Sequence, residues 1–385
     1  MKILFLTLIA TLALTGCRAP QDSESKALPF VCRGENASSI YFDADHAQIL
    51  AGRLKGASIE SMLVFGDSLS DSGRLGRKSK DLLVPKCKYW NNRFSNGPVW
   101  NEYLSVAAGW NLYNYAVGGS GTSKEVGGGF LGWLHYLNPF TIKSSFQDVV
   151  LTPLLDQIED YARDQSSGKT TLDPSETLVS IWAGPNNYFV HGRDVEDKEG
   201  HLIQVKAEDL VDRTISDLHQ SVLRLKALGF TRITMGTMPG LVGIQPDPSN
   251  LIQLASDETL GFLGRRHNQS LEAMVAKFRS EGLDIVVFHS NEINEATNSN
   301  LGTYGFDSAK PCYTGDILGF VPKGKLNFCE HPLRQKLWDN LHPNTRMHCI
   351  YASQYANDAK AAGWLEITED FLQTCINMRT KSGIE

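Results

Sequence analysis

The chain has 385 residues, 42% of them hydrophobic and 21% charged, the balance of a globular protein, and this excludes a largely disordered one. A formal net charge of −6 offers no electrostatic case for binding nucleic acid. Beyond the N-terminus, no segment approaches the run of about 18 apolar residues that a membrane-spanning helix needs.

The N-terminus reads as a targeting signal. Met1-Lys2 is a short basic start, Ile3 to Leu14 is an apolar run too short to span a bilayer, and small residues follow. Leu14-Thr15-Gly16-Cys17 resembles the lipobox of bacterial lipoproteins. That resemblance implies cleavage before Cys17, lipidation of its thiol and, because Arg18 rather than Asp follows, anchoring at the outer membrane. An ordinary secretory signal is the alternative, and either one exports the chain. Residues 18–55 are expected to form an N-terminal tether or arm, with a short helix near Asp43 to Leu54.

Apart from Cys17 the cysteines are Cys32, Cys87, Cys312, Cys329, Cys349 and Cys375. An even number in an exported protein points to disulfides, although sequence alone does not choose the pairing. Cys312 with Cys329 is the best guess, because it closes a short loop. Cys329, His331, His348 and Cys349 form Cys/His clusters, but no C-x-x-C occurs and the spacing fits no common zinc pattern. No metal and no cofactor is expected.

Met62-Leu63-Val64-Phe65-Gly66-Asp67-Ser68 begins as a buried strand, stops at a glycine, and presents a serine two residues later. Asp71, Ser72 and Gly73 suit a tight turn and a helix start. The basic, Pro-containing stretch Arg77 to Lys88 interrupts that helix. Val99 to Ala108 reads as a helix and Asn111 to Val117 as a second strand, whose exit is Gly118-Gly119-Ser120-Gly121. Glycines there mark backbone that turns sharply or approaches a ligand closely. Because Ser123 precedes Lys124, the Walker phosphate-loop pattern is not met. The Gly- and aromatic-rich stretch from Gly127 to Leu137 reads as an apolar flap.

Phe146 to Arg163 has apolar residues at helical spacing. Thr177 to Ala183 is the clearest buried strand, and it exits at Gly184-Pro185-Asn186-Asn187. A long helix follows over Ala207 to Leu228, then a strand over Arg232 to Met235, a helix over Glu258 to Phe278 and a strand over Ile285 to Phe288. Asn291 to Leu337 reads mostly as loop, an uncommon length unless it serves a function. Asp339-Asn340-Leu341-His342 precedes the last long helix, which runs to about Ala361.

Strands alternating with helices predict an α/β fold, a three-layer α/β/α sandwich around a parallel sheet. Right-handed crossovers place every strand's carboxyl end on one side. Ser68, Gly119 and Asn186 each follow directly on such an end. A serine is a weak nucleophile until a base takes its proton, and a histidine held by a carboxylate is the usual base. The spacing of Asp339 and His342 suits one helical turn, which would deliver orienter and base together.

Gly66-Asp67-Ser68-Leu69 with Asp71 and Gly73, Gly119 after Asn114-x-Ala116, Gly184-x-Asn186, and Asp339-x-x-His342-Pro343 resemble the signature blocks of the GDSL esterase/lipase family, or SGNH hydrolases. They occur in the family's order and span most of the chain. The resemblance implies a single flavodoxin-like catalytic domain over residues 56–385, with insertions near 124–145 and 291–337. It implies Ser68 as nucleophile, His342 as base and later acid, and Asp339 as its orienter. It also implies an oxyanion hole from the Ser68 and Gly119 N–H groups and the Asn186 amide. Many members have Asp where this chain has Asn187, which puts any role of that neighbouring carboxylate in doubt. G-x-S-x-G, which an α/β-hydrolase would need, and H-E-x-x-H of metalloproteases are both missing.

Within the family, Cys312 and Cys329 ahead of Trp338-Asp339 look like the branch of bacterial lysophospholipases and glycerophospholipid:cholesterol acyltransferases. That likeness implies a lipid substrate at a membrane surface and, in some relatives, a sterol acyl acceptor. The Cys312–Cys329 loop could then act as a covalently closed flap, displaced by reduction or by an activating protease. The alternatives are a short-chain esterase of the same fold and a non-catalytic surface lipoprotein. Among the other histidines, His289 is expected to be structural. His46, His191, His201 and His267 are expected on loops and helix surfaces, and Asn268 is expected to pack within its helix.

Overall fold

A computed structural model describes residues 46–56, 58–79, 81, 83, 84, 86–124, 151–244, 254–315 and 327–379. Cys17 and its signal, Cys32, most of the arm and the stretch from Gly127 to Leu137 lie outside these residues. In chain order the elements are β1 (Leu54–Gly56), β2 (Ser61–Gly66), α1 (Arg74–Lys78), α2 (Trp100–Ala108), β3 (Asn111–Asn114), α3 (Leu154–Ser166), β4 (Thr177–Trp182), α4 (Pro185–His191) and α5 (Gln204–Ala227). They continue with β5 (Arg232–Gly236), α6 (Asp257–Ser280), β6 (Asp284–Phe288), α7 (Ser290–Ser299), β7 (Ser308–Pro311), β8 (Gln335–Leu337), α8 (Thr345–Ala361), β9 (Leu365–Ile367) and α9 (Phe371–Ile376).

The central sheet has the order β3-β2-β4-β5-β6, and every neighbouring pair is parallel. This is the flavodoxin-like arrangement, in which the first strand lies between the second and third. Ligands in such sheets bind beyond the carboxyl ends, where the strand order reverses. Here that point lies between β2 and β4. Phe65 pairs with Ile181 and Gly66 with Trp182, so the two strands end level and their exit loops emerge side by side.

Side chains of β2 alternate between two helical layers. Met62 and Val64 pack with Trp100 and Leu104 of α2 and with Met347, Tyr351 and Tyr355 of α8. Leu63 and Phe65 pack with Ile158 and Tyr161 of α3, Val222 of α5 and Leu271 of α6. A strand covered on both faces has no polar side, which is why β2 and β4 read as continuous apolar runs. The fold is therefore the expected three-layer α/β/α sandwich. Its helices carry ordinary start and stop signals. Ser256 caps α6 by accepting from Thr259 N–H, with Asp257 and Glu258 in the first turn and Lys277 and Arg279 in the last. Asn344 caps α8 by accepting from Met347 N–H at 2.8 Å.

Several expectations need correction. The arm expected to reach residue 55 is part of the folded domain from His46 on. Leu50 and Leu54 are buried in the core, and β1 pairs antiparallel with β9. Of the helix expected over Phe146 to Arg163, residues 151–153 are not helical and α3 runs from Leu154, while residues 146–150 lie outside the described residues. Pro153 disfavours helical backbone at Thr152, whose carbonyl instead accepts from Ser120 Oγ at 2.9 Å and Gln157 Nε2 at 2.8 Å. The second strand stops at Asn114, not Val117; the Asn114 Oδ1 turns back to accept from Ala116 N–H, while Tyr115 and Val117 N–H still donate to the Val64 and Gly66 carbonyls of β2. Within the expected long loop, residues 290–299 form α7. Its Asn-rich sequence has little helix preference of its own, and burial of Ile293, Asn294 and Thr297 holds it in place. His267 is fully buried, not on a helix surface.

Cys312 and Cys329 are bonded, and Cys349–Cys375 ties α8 to α9. Cys87 is disulfide-bonded as well. Disulfides persist in oxidising compartments, so these bridges suggest an exported or extracellular protein. No helix among the described residues is long and apolar enough to cross a membrane.

Candidate active site

The turn after β2 is built around a position that only glycine fills. Gly66 has φ 154°, and a Cβ there would lie 2.3 Å from the Trp182 carbonyl oxygen of the neighbouring strand. Gln157 of α3 clamps the same residue, accepting from its N–H at 3.0 Å and donating to its carbonyl at 2.8 Å. After it, Asp67 Oδ1 accepts from Leu69 N–H at 3.0 Å, while the Asp67 carbonyl accepts from the N–H groups of Ser70 and Asp71. These bonds close a tight turn that leaves Ser68 partly exposed between buried neighbours. Asp71 joins this turn to the next loop. Its carboxylate accepts from the N–H groups of Arg74 and Leu75, which start α1, and from Gly118 N–H at 2.8 Å.

Asp339 and His342 do not lie on a helical turn, contrary to the expectation from their spacing. They occupy a bend between β8 and α8, closed by Trp338 N–H donating to the His342 carbonyl at 2.7 Å. Asp339 is fully buried, and its Oδ1 accepts from the backbone N–H groups of Leu341 at 2.8 Å and His342 at 2.7 Å. The carboxylate thus shapes the loop that carries the imidazole. His342 Nδ1 lies 2.9 and 2.8 Å from the two carboxylate oxygens, and Tyr89 donates its hydroxyl to Oδ2 at 2.7 Å. Burial alone would raise the Asp339 pKa. The charge and hydrogen bond of His342, with the bonds from Tyr89 and Leu341, outweigh it and hold the carboxyl below its ordinary value. On the ring's other side, His342 Nε2 is 2.9 Å from Ser68 Oγ, 274 residues away in the chain. The Phe94 ring packs 4.7 Å from the imidazole and fixes its plane.

Ser68, Gly119, Asn186 and His342 line one cleft, with a cavity volume of about 300 Å³. Gly119 has φ 74°, a conformation side chains rarely adopt, and the Cβ of a residue at Gly118 would overlap Phe94. Asn186 lies in the first turn of α4 and donates its amide to the Ser120 carbonyl at 3.0 Å. That bond ties the β4 exit to the β3 exit. The rest of the cleft wall is largely apolar, with Leu75, Phe94, Leu151, Phe189, Leu241 and Ile244 among its members. The arrangement can take a proton from a serine hydroxyl beside an apolar groove.

A family model described as GDSL-like Lipase/Acylhydrolase matches residues 62–354, a span that contains every one of these groups. The chain belongs to the GDSL lipase/acylhydrolase family. The thermolabile hemolysin of Vibrio parahaemolyticus is 23% identical over 342 residues, which is 83% of this chain and 70% of that protein. The phosphatidylcholine-sterol acyltransferase of Aeromonas hydrophila is 24% identical over 352 residues, 81% of this chain and 91% of that one. A shorter match, 43% identical over 65 residues and 16% of each chain, is to the secreted effector protein SseJ of Salmonella typhimurium. Among solved structures, a lipolytic G-D-S-L family protein from Veillonella parvula covers 78% of this chain and 97% of its own, with 14% identity and a TM-score of 0.36.

Asn187, beside Asn186, is fully buried and serves as a junction. Its Oδ1 accepts from Thr122 N–H at 3.1 Å, and its amide donates to the hydroxyls of Thr122 at 2.7 Å and Thr214 at 3.0 Å. No carboxylate is needed for that role. His267 hydrogen-bonds Tyr188 at 2.8 Å behind the same helix, and burial pushes its pKa down to about 3, so it stays neutral. Asn268 reaches out of its helix to pair with both the N–H and carbonyl of Met238, holding the β5 exit. His289 pairs with Asp358 at 3.0 Å and lies outside the cleft lining, in keeping with a structural role.

Sequence reasoning missed Tyr89, Gln157 and Lys336. Tyr89 touches Asp339 from 250 positions away, and no local spacing signals such a contact. It also missed the state of Asp67. Burial raises that carboxyl to about 7, and its Oδ2 has no hydrogen-bond partner among the described residues.

Proposed function

We propose that this chain is a serine esterase that hydrolyses acyl esters of phospholipids or lysophospholipids through an acyl-serine intermediate. The observation that carries the reading is the continuous chain Asp339–His342–Ser68, with contacts of 2.8 and 2.9 Å. In the first step Ser68 Oγ attacks the ester carbonyl carbon while His342 Nε2 takes the hydroxyl proton. Asp339 accepts from Nδ1–H, which keeps Nε2 free as the base and stabilises the imidazolium that forms. Negative charge gathers on the carbonyl oxygen, where the N–H groups of Ser68 and Gly119 and the Asn186 amide are assigned as donors. Collapse expels the alcohol, protonated by His342, and leaves the acyl-serine. Water, deprotonated by the same histidine, then attacks the acyl carbon; the bond to Ser68 Oγ breaks, His342 returns the proton to that oxygen, and the fatty acid leaves. A sterol hydroxyl in place of water would complete acyl transfer.

A lipid substrate is supported by the apolar cleft wall and by similarity to a phosphatidylcholine-sterol acyltransferase. An anchor at Cys17 would hold the domain at a membrane, where such substrates lie, and a Cys17→Ala variant found in the soluble fraction is the expected outcome of fractionation. The central test is fatty-acid release from lysophosphatidylcholine by the wild type and by Ser68→Ala. The variant is expected to be inactive and to lose labelling by a fluorophosphonate. Wild-type release by the variant would overturn the assignment, and a wild-type peak at acetate on p-nitrophenyl esters would assign short acyl groups instead.

A further inference from the structure

Lys336, the middle residue of β8, is only 3% exposed and yet lines the same cleft as Ser68 and His342. Its ammonium donates to three neutral oxygens of α7: the Asn294 carbonyl at 3.2 Å, Asn294 Oδ1 at 2.8 Å and Asn298 Oδ1 at 2.5 Å. Tyr351 donates its hydroxyl to the same Asn294 Oδ1 at 3.2 Å, which fixes that amide. Nothing among the described residues supplies a countercharge. Burial alone pushes the Lys336 pKa down to about 7, with no carboxylate to oppose it. A buried cation without a counter-ion is costly, and a side chain needed only for packing would carry no charge here. The cost is offset if an anion completes the site.

The position of the cation relative to the reacting groups is fixed. Asn344 N–H donates to the Lys336 carbonyl at 3.0 Å, and Leu337 pairs with Pro343, so the segments before and after Asp339 and His342 are stitched together. Asn298 is exposed, so the cleft opens to solvent beside the ammonium. The β5 exit closes the other side, since a Cβ at Gly240 would come within 3.0 Å of Asn294 Nδ2. The result is a polar, cationic patch in a cleft whose wall is largely apolar. A glycerophospholipid has the matching layout: an apolar acyl chain, an ester carbonyl, and one phosphate joined to that ester through glycerol.

We propose that Lys336, held by Asn294, is the subsite for the phosphate of a glycerophospholipid or lysophospholipid headgroup, a phosphate oxygen taking the place of the exposed Asn298 Oδ1 as one of the three acceptors of the ammonium. This specificity role rests on the lipid-ester reading above and adds no catalytic step to it. Lys336→Met and Lys336→Arg are compared with the wild type on lysophosphatidylcholine and on monoacylglycerol of the same acyl chain. The ratio of kcat/KM between the two lipids is expected to fall about 10- to 100-fold in Lys336→Met, the worth of a hydrogen bond to a charged group. Lys336→Arg should retain most of the ratio. Glycerophosphocholine should inhibit the wild type competitively and inhibit Lys336→Met far less.

An unchanged ratio, or equal losses on both lipids, would overturn the subsite, the second outcome marking Lys336 as structural. Inorganic phosphate inhibiting better than glycerophosphocholine would assign a free-phosphate site and overturn the headgroup proposal. Residual p-nitrophenyl ester hydrolysis by each variant reports that it has folded. If the wild type cleaves p-nitrophenyl esters but neither lipid, the lipid reading itself fails. If it cleaves both lipids and Lys336→Met leaves their ratio intact, only the subsite does.

Discussion

Asp339→Asn tests the site most sharply, because the structure determines which way the new amide must face. Oδ1 of Asp339 accepts from two backbone N–H groups, Leu341 and His342, at 2.8 and 2.7 Å. An asparagine must keep its carbonyl oxygen there, since an NH₂ group cannot accept. Its amide nitrogen then takes the place of Oδ2, 2.8 Å from His342 Nδ1. Nδ1 then faces an N–H donor at its shorter contact and keeps only the 2.9 Å contact to the retained oxygen, so the tautomer that accepts from the amide is favoured, with the ring proton on Nε2 donating to Ser68 Oγ. The base is lost, although every heavy atom can stay in place. The expected loss in kcat is about 10³- to 10⁴-fold, or about 4–5.5 kcal/mol of transition-state stabilisation. Stability should change far less, by about 1 kcal/mol, because the Tyr89 hydroxyl can accept from the new amide. Hydrolysis of p-nitrophenyl butyrate together with thermal unfolding separates the two effects. A kcat within tenfold of wild type, with an unchanged melting curve, would refute the tautomer reasoning and Asp339's role with it.

Asn186→Ala should lower kcat roughly 10²- to 10³-fold with little change in KM, the usual cost of one oxyanion donor; a loss confined to KM would remove Asn186 from that role. Opening the Cys312–Cys329 bridge, which closes a 17-residue separation, should cost about 3 kcal/mol of stability, measured by denaturant unfolding of Cys312→Ser/Cys329→Ser. The rate should change too, because Cys312 N–H donates to the Leu337 carbonyl at 3.0 Å and Tyr313 N–H to the Trp338 carbonyl at 2.7 Å, beside Asp339; an unchanged rate would make the bridge purely structural. Asp67 gives a pH signature. Its folded pKa, about 7, lies above the unfolded 3.8, so the folded state holds its proton more tightly and stability is lost as pH rises from about 4 through 7. Asp67→Asn should therefore stabilise the protein at pH 8, by on the order of a few kcal/mol, and not at pH 4. Equal Tm shifts at both pH values would show that the carboxyl's charge is not the cause.

Much of this protein was legible in order along the chain. The buried strands announced themselves as apolar runs, since β2 and β4 are covered on both faces and have no polar side to interrupt them. The Ser68 turn, the glycine-bearing exit at Gly119 and the Asn186 exit could each be placed at a strand's carboxyl end, because strand–helix alternation forces those ends to one edge. Asp339 and His342 were found as residue types at a spacing. The tertiary structure decided how they are held: a bend in which backbone N–H groups, not helical periodicity, aim the carboxylate. It also decided α7, whose weak local propensity is overridden by burial of Ile293, Asn294 and Thr297. The contacts that finish the site join residues far apart in sequence, such as Tyr89 with Asp339 and Gln157 with Gly66. Sequence determines the chemistry that strand ends can carry, because side-chain type and backbone pattern are local properties. Which buried charge meets which partner, and which, like Lys336, meets only neutral oxygens among the described residues, depends on packing between distant segments and is decided only by the fold.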